Sequence, residues 1–202
     1  MPKIVDHEQR RAEIAEIAAE IIAEGGLEAA TMREIARRSG FSKGIIEHYF
    51  DGKSELIDAA LAWANQRYFE RVERATAGLV GLDALRARLK ATVPSSVSLR
   101  NEWKIRLIFW SVAAIDPGLQ RQQAARTRDA IAHFAADLRD AQSRGELDAA
   151  AFAGSVESAA RQVLFAATGL SCAILHNPRA YNKNVIEAEI ERIVATSTAQ
   201  VG

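Results

Sequence analysis

A single cysteine, Cys172, among 202 residues rules out an internal disulfide and any thiolate metal cluster. Only four prolines occur, and β-branched alternation is scarce, so the chain reads as all-helical. No apolar run approaches ~20 residues, which argues against a membrane span. The opening residues, MPKIVDHEQRR, lack the apolar core of a signal peptide, and a cytoplasmic protein is expected. The four histidines, His7, His48, His133 and His176, are scattered, with no HExxH pair and no close His/Cys spacing. A phosphate-cradling glycine loop and a GxSxG elbow are missing as well. No catalytic residue, metal ligand or cofactor is assigned on these grounds, and the chain is not expected to be an enzyme.

What is present is apolar content and length. Hydrophobic residues make up 49% of the chain, ample for a buried core. The length suits one large domain, or a small domain fused to a bigger one. Formal net charge is zero. The first 60 residues hold eight Lys/Arg against twelve Asp/Glu, an acidic balance that is awkward for a polyanion binder. The distribution matters more than the total. Glu13, Glu16, Glu20 and Glu24 lie three or four apart and form one solvated stripe on a first helix. Between Thr31 and Lys53, five cations face three acids.

That stretch, TMREIARRSGFSKGIIEHYFDGK, carries the strongest local signals. Thr31 and Glu34 have capping-box spacing, so a helix should start at Thr31. Met32, Ile35 and Ala36 give it an apolar face, and Arg37 and Arg38 suit its C-terminal end. Gly40 supplies a left-handed stop, and Ser42 can cap a second helix. On that helix Ile46 and Phe50 sit four apart and should point inward. Two short helices joined by a glycine turn form a helix-turn-helix, whose second helix enters the DNA major groove. An ordinary helical corner has the same spacing.

The residue types separate these readings. The run T-x-R-E-I-A-R-R-S-G-F-S-K-G-I-I-x-H-Y-F-x-x-K-x-x-L resembles the DNA-binding signature of the TetR family of transcriptional regulators. Thr31, Ile35, Ala36, Gly40, Ser42, Gly44, His48, Tyr49, Phe50, Lys53 and Leu56 carry it. G-I-I-x-H-Y-F is most similar to the BetI-like, choline-responsive branch. The resemblance implies a three-helix helix-turn-helix head over about 7–67, with the motif at about 31–50. A helical ligand-binding and dimerisation domain over 68–202 would follow. It places Lys43, Gly44, Ile45 and His48, with Arg33 on the preceding helix, at base edges or the adjoining backbone. Thr31, Tyr49 and Lys53 fall where phosphates are held, and Ser42 opens the recognition helix. Lys43 suits guanine O6/N7 and Ile45 a thymine methyl. Glu47 departs from the pattern, since many relatives hold a tyrosine there. A carboxylate at that position repels phosphates unless it accepts from a cytosine N4 or pairs with Lys43.

Along the rest of the chain, Asp6 and Gln9 suggest a capping box for the first helix, which Gly25-Gly26 ends. A long fourth helix should run from Lys53 to about Ala77, with Leu56, Ala60 and Trp63 inward. Further helices are expected from Gly81 to near Pro94, from Val97 to Ile115, and from Asp116-Pro117 to about Arg144. Another should be capped by Asp148 and stopped at Asn177-Pro178, with a last from Asn184 to Thr198. Trp63, Trp103, Phe109, Trp110, Phe134 and Phe165 are the pocket-wall candidates. Trp103 and Trp110 flank Leu107 in a stripe that equally suits a core. A quaternary ammonium would need aromatic faces and a nearby acid, for which Glu102, Asp116 and Glu157 are the options. For dimerisation, the small residues Ala159, Ala166 and Gly169 and the apolar Ile186, Ile190 and Ile193 are candidates. Covering a monomer's own core would explain the small residues equally well, but it would leave the apolar stripe of the last helix exposed.

The reading is thus a homodimeric regulator, a repressor released from a palindromic operator by a small apolar or cationic effector. Its rival is a helical interaction module that kept the head without binding DNA, favoured by Glu47 and the acidic first helix.

Overall fold

A computed structural model describes residues 3–147 and 155–198. Nine helices and no strand occur among them: α1 Lys3–Gly25, α2 Met32–Ser39, α3 Lys43–Tyr49, α4 Lys53–Thr76, α5 Gly81–Thr92, α6 Val97–Ala113, α7 Pro117–Ser143, α8 Val156–His176 and α9 Lys183–Thr198. The chain forms two compact units. The first comprises Met1–Phe69 with Asn101–Val112, and the second Glu70–Arg100 with Ala113–Gly202. The sequence boundary at 67/68 therefore omits one segment: the apolar middle of α6 groups with the head.

In the first unit, the core gathers Ile14, Ala18 and Ile22 of α1, Ile35 of α2, and Ile46 of α3 with Phe50 just after it. Leu56 and Ala60 of α4 and Ile105 and Phe109 of α6 complete it. Ile14, Ile35, Ile46 and Leu56 are fully buried, and each contributes about 1.5–3 kcal/mol by leaving water. Helix ends follow local chemistry. Thr31 Oγ1 accepts from the Glu34 amide at 3.1 Å, and Ser42 Oγ accepts from the Ile45 amide at 3.2 Å. Gly40 closes α2 at φ 73°, where a Cβ would be strained. The expected Thr31/Glu34 box is only half formed. The Glu34 carboxylate bonds Arg37 at 2.8 and 2.6 Å, and the Thr31 amide donates to the Ala29 carbonyl instead.

The capping box expected at Asp6 does not start α1. The helix is already under way at Lys3, so Asp6 lies inside it. The acidic stripe of α1 is also not purely solvated, because Arg38 reaches Glu24 at 2.5 Å and Glu20 at 3.8 Å. At the seventh helix the expectation holds: Asp116 accepts from the Leu119 amide at 2.8 Å ahead of Pro117. The proposed cap Asp148 lies outside the described residues; α8 as described is capped by Ser155, whose hydroxyl accepts from the Ser158 amide.

In the second unit α7 packs on α8 and α5, and α9 on α8 and α5. Leu85, Leu89, Phe134, Leu138, Ala160, Val163, Ala167, Ile174, Ile190 and Val194 meet in its core. The small alanines of α8 let neighbouring backbones approach closely. At 21 residues, α8 is long and apolar enough to cross a membrane by length and composition, against the expectation that no such segment exists. Its buried side, with Ala160, Val163, Ala167 and Ile174, packs into this helical core.

A bidentate ion pair is sealed into the same unit. Arg88 Nε and Nη2 donate to the Asp137 carboxylate at 2.6 and 3.1 Å, with 13% and 9% of the two side chains exposed. Breaking such a pair strands a charge. Arg88→Ala or Asp137→Ala should cost about 3–5 kcal/mol in urea unfolding, whereas Arg88→Met with Asp137→Leu should be close to neutral.

Candidate DNA interface

The seven-residue α3 has two distinct sides. Its inner side places Ile46 at 0% exposure, and Phe50 follows at 1%. Its outer side exposes Ser42, Lys43, Gly44, Ile45, Glu47 and His48. Ile45, at 41% exposure, places an apolar side chain on that outer side. At Gly44 an added Cβ would meet only the Ser42 hydroxyl, at 3.9 Å, so this point of the surface offers close approach. Thr31 and Arg33 are exposed at the start of α2, and Lys53 opens α4. The structure thus brings every DNA-contact residue named from the sequence into the first unit. Tyr49 is half-buried, tilted against the His7 ring at 4.6 Å.

Four residues at this surface carry roles that the sequence reading left unassigned: His7, Arg10, Arg11 and Glu55. Arg10 lines an open groove of about 470 Å³ together with Phe41, Ser42, Gly44, Ile45, His48 and Tyr49. Its guanidinium lies 4.9 Å over the Phe41 ring. Arg11 lies 4.3 Å over the Phe50 ring and donates both to the Tyr49 carbonyl and to Glu55. Glu55 in turn accepts from the Asp51 amide at 2.6 Å. Arg11 and Glu55 therefore tie down the C-terminal end of α3 from two neighbouring helices. The available signal was the spacing of His7, Arg10 and Arg11 on α1, one turn apart beside the acidic stripe.

Cations here come with carboxylate partners. Lys43 Nζ is 2.7 Å from Glu47, and Lys53 Nζ is 2.8 Å from Glu28. Arg37 pairs with Glu34, and Arg38 with Glu24. The carboxyls of Glu28 and Glu34 titrate below their ordinary range, first through hydrogen bonds from Lys53 and Arg37 respectively. These pairs are exposed and add little to stability. Their consequence is electrostatic: the surface is less positive than its lysines and arginines alone would make it.

The proposed pocket walls are divided between the two units. Phe134 is 2% exposed in the core of the second unit, and Phe165 is 62% exposed on α8. Trp63, Trp103, Phe109 and Trp110 belong to the first unit. Trp103, at 3% exposure, is a core residue, edge-on to the half-buried Trp110 at 5.8 Å. The aromatic faces already hold cations of this chain: Arg106 lies 4.6 Å over Trp103 and 4.4 Å over Tyr68, and Arg67 lies 5.0 Å over Trp63. Of the three acids considered, Glu102 is buried, 4.0 Å from Arg67. Asp116 caps α7, and Glu157 is exposed and paired with Arg139.

The expected dimer stripe is corrected in part. Ile186, Ile190, Ile193 and Ala159 are buried in their own unit's core, because α9 lies against α5 and α8 within the protomer. Ala166 and Gly169 remain exposed on α8.

Comparison with known proteins agrees with this architecture. Residues 14–60 match the family described as "Bacterial regulatory proteins, tetR family", and residues 81–199 match "BetI-type transcriptional repressor, C-terminal". The chain belongs to the TetR family. Within it, the chain is 33% identical over 155 residues to the HTH-type transcriptional regulator BetI of Burkholderia mallei, covering 71% of this chain and 77% of that one. It is 32% identical over 114 residues to the regulator PksA of Bacillus subtilis, covering 56% of each. A transcriptional regulator from Saccharomonospora viridis, solved in complex with choline, shares the fold with TM-score 0.81 and 19% identity, over 93% and 96% of the two chains. TetR membership makes this a DNA-binding transcriptional regulator with a helix-turn-helix head, and no feature of the relatives favours the interaction-module rival.

The clamp on the TetR-type recognition helix predicts an acid-sensitive head. The Glu55 carboxyl titrates below its ordinary range, chiefly because the Asp51 amide donates to it and next because Arg11 does. A carboxyl depressed on folding adds stability that is present above its unfolded value, about pH 4.3, and is lost as pH falls through the folded value. Glu55→Gln should therefore flatten the acid limb of the stability–pH curve below about pH 4.3, measured by thermal melts of the two proteins.

Proposed function

We propose that this chain is a homodimeric repressor that acts in the cytoplasm. Its two α3 helices would enter successive major grooves of a palindromic operator, and a small apolar or cationic effector would release it. The observation that carries the reading is the two-sided α3: Ile46 and Phe50 lock the helix while Ser42, Lys43, Gly44, Ile45 and His48 face outward. Arg33 would reach a base from the preceding helix, and Thr31, Tyr49 and Lys53 would hold phosphates around it. Successive grooves lie about 34–36 Å apart, so two heads must be held at that spacing. An effector that binds better to a differently spaced dimer lowers operator affinity by that difference in free energy.

The dimer is supported by the outer side of α8. Phe165 is 62% exposed there, beside exposed Ala166 and Gly169. A Cβ at Gly169 would meet nothing within 4 Å, so the protomer leaves this surface open. Pairing α8 and α9 across a two-fold axis would cover it as a four-helix bundle. The BetI-type match and the choline-bound structural neighbour support a small cationic effector. Trp63, Trp103 and Glu102 supply suitable groups, with Arg67 and Arg106 as the cations an incoming ligand would have to displace.

Two measurements test this reading. The wild type should sediment as a dimer at micromolar concentration and shift duplex DNA flanking its own gene. Gly169→Arg, which the protomer can accommodate, should sediment as a monomer and lose at least about tenfold in operator affinity, since one head reads one half-site. A monomeric wild type would end the dimer proposal. Adding choline to the wild-type complex should release DNA, and Trp103→Ala should blunt that response; no release by choline or by a panel of apolar metabolites would remove the effector assignment.

A further inference from the structure

The carboxylate of Glu47 stands on the outer side of the recognition helix, where acceptor-rich DNA would ordinarily exclude it. Its side chain is 49% exposed, and its partner Lys43 is 62% exposed, with their charged tips 2.7 Å apart. An exposed pair four residues apart contributes little to the stability of a helix. The fold therefore does not account for an acid at this place, whereas an anchored helix that carries it into a major groove would.

Major-groove chemistry narrows what a carboxylate can meet. Guanine O6 and N7, thymine O4 and adenine N7 are acceptors and repel it; only cytosine N4 and adenine N6 donate. Beside adenine N6 stands the N7 acceptor, which opposes the second carboxylate oxygen. Cytosine N4 has no acceptor on its outer side, and on its inner side lies the O6 of the paired guanine. That O6 is a target for Lys43. In a G·C pair, N4 and O6 are themselves hydrogen-bonded at roughly 2.9 Å, close to the spacing of the Lys43–Glu47 tips. The ion pair thus presents a donor and an acceptor at the spacing of the base pair's acceptor and donor, and the ammonium offsets repulsion from phosphates.

We propose that Glu47, acting with Lys43, determines operator specificity by reading one G·C pair in each half-site. The Lys43 ammonium donates to guanine O6 or N7, and the Glu47 carboxylate accepts from cytosine N4. This rests on α3 being the recognition helix. Ile45 and His48, exposed on the same helix, then meet neighbouring positions.

Selection from randomised duplexes with the full-length wild type, Glu47→Gln, Glu47→Ala and Lys43→Ala tests this, followed by affinity measurements at one fixed salt concentration. The wild type should enrich G·C in one orientation at one position of each half-site. Glu47→Gln should move that position towards adenine, whose N6 and N7 suit an amide. Glu47→Ala and Lys43→Ala should flatten the same position, lowering discrimination by about tenfold while other positions stay unchanged. Thermal melts matching the wild type would show that the variants fold. Glu47 variants that keep the wild-type preference at every position overturn the proposal. So does a Glu47→Ala that tightens binding to all duplexes alike, because the carboxylate then only restrains Lys43. A wild type that enriches no duplex would instead bring down the recognition-helix reading, a separate failure that takes this proposal with it.

Discussion

A helix of seven residues has no stability of its own in water, since nucleation costs more than so few hydrogen bonds return. Everything in the head follows from holding α3 in place despite this. Ile46 and Phe50 are driven into a core built by α1, α2, α4 and α6. Ser42 satisfies an amide at one end, and Arg11, fixed by Glu55, takes the carbonyl of Tyr49 at the other. With its inner side and both ends fixed, the helix leaves its polar outer side to be arranged for another molecule. A rigid presentation of this kind reduces the ordering cost of binding.

The second feature of the head is restraint of charge. Arg37, Arg38, Lys43 and Lys53 are each paired with a glutamate. Non-specific affinity for duplex DNA comes largely from cations that release counterions from phosphates. A lysine that must first leave a carboxylate gains less from any phosphate it meets. A regulator with such a surface relies more on base contacts and less on general attraction, which favours discrimination over raw affinity. The net charge of zero and the acidic first 60 residues, awkward for a DNA binder when counted, are the same restraint seen in composition.

The second unit uses small residues in two ways. Ala160 and Ala167 sit at 0% exposure and let α8 lie close to its neighbours. Ala166 and Gly169 share that helix and face outward. One helix can thus serve a protomer core and offer a surface for close backbone approach, because residues a turn apart differ in the side they present. Ile186, Ile190 and Ile193 of α9 serve the first purpose, and their exposure in a lone helix is removed by α5 and α8.

Helix ends were legible in the chain wherever a short polar side chain met a glycine or a proline. Thr31, Gly40, Ser42 and Asp116 act through atoms within three residues, so sequence alone determined them. The inward side of α3 was legible for the same reason, as Ile46 and Phe50 are spaced by one turn. The signature from Thr31 to Leu56 pointed to the family because it joins residues that meet local backbone or core requirements, such as Thr31, Ile35, Gly40, Ser42, Phe50 and Leu56, to exposed residues such as Gly44 and His48. What the sequence could not supply were partners distant along the chain. Arg11 reaches Tyr49 and Glu55 across about forty residues, and the middle of α6 joins the head from beyond residue 100. Whether Ile190 is exposed or buried, whether Trp103 is core, and which glutamate neutralises which arginine depend on how helices pack. Apolar burial is non-directional and follows proximity in space, and proximity between distant segments was set only by the tertiary structure.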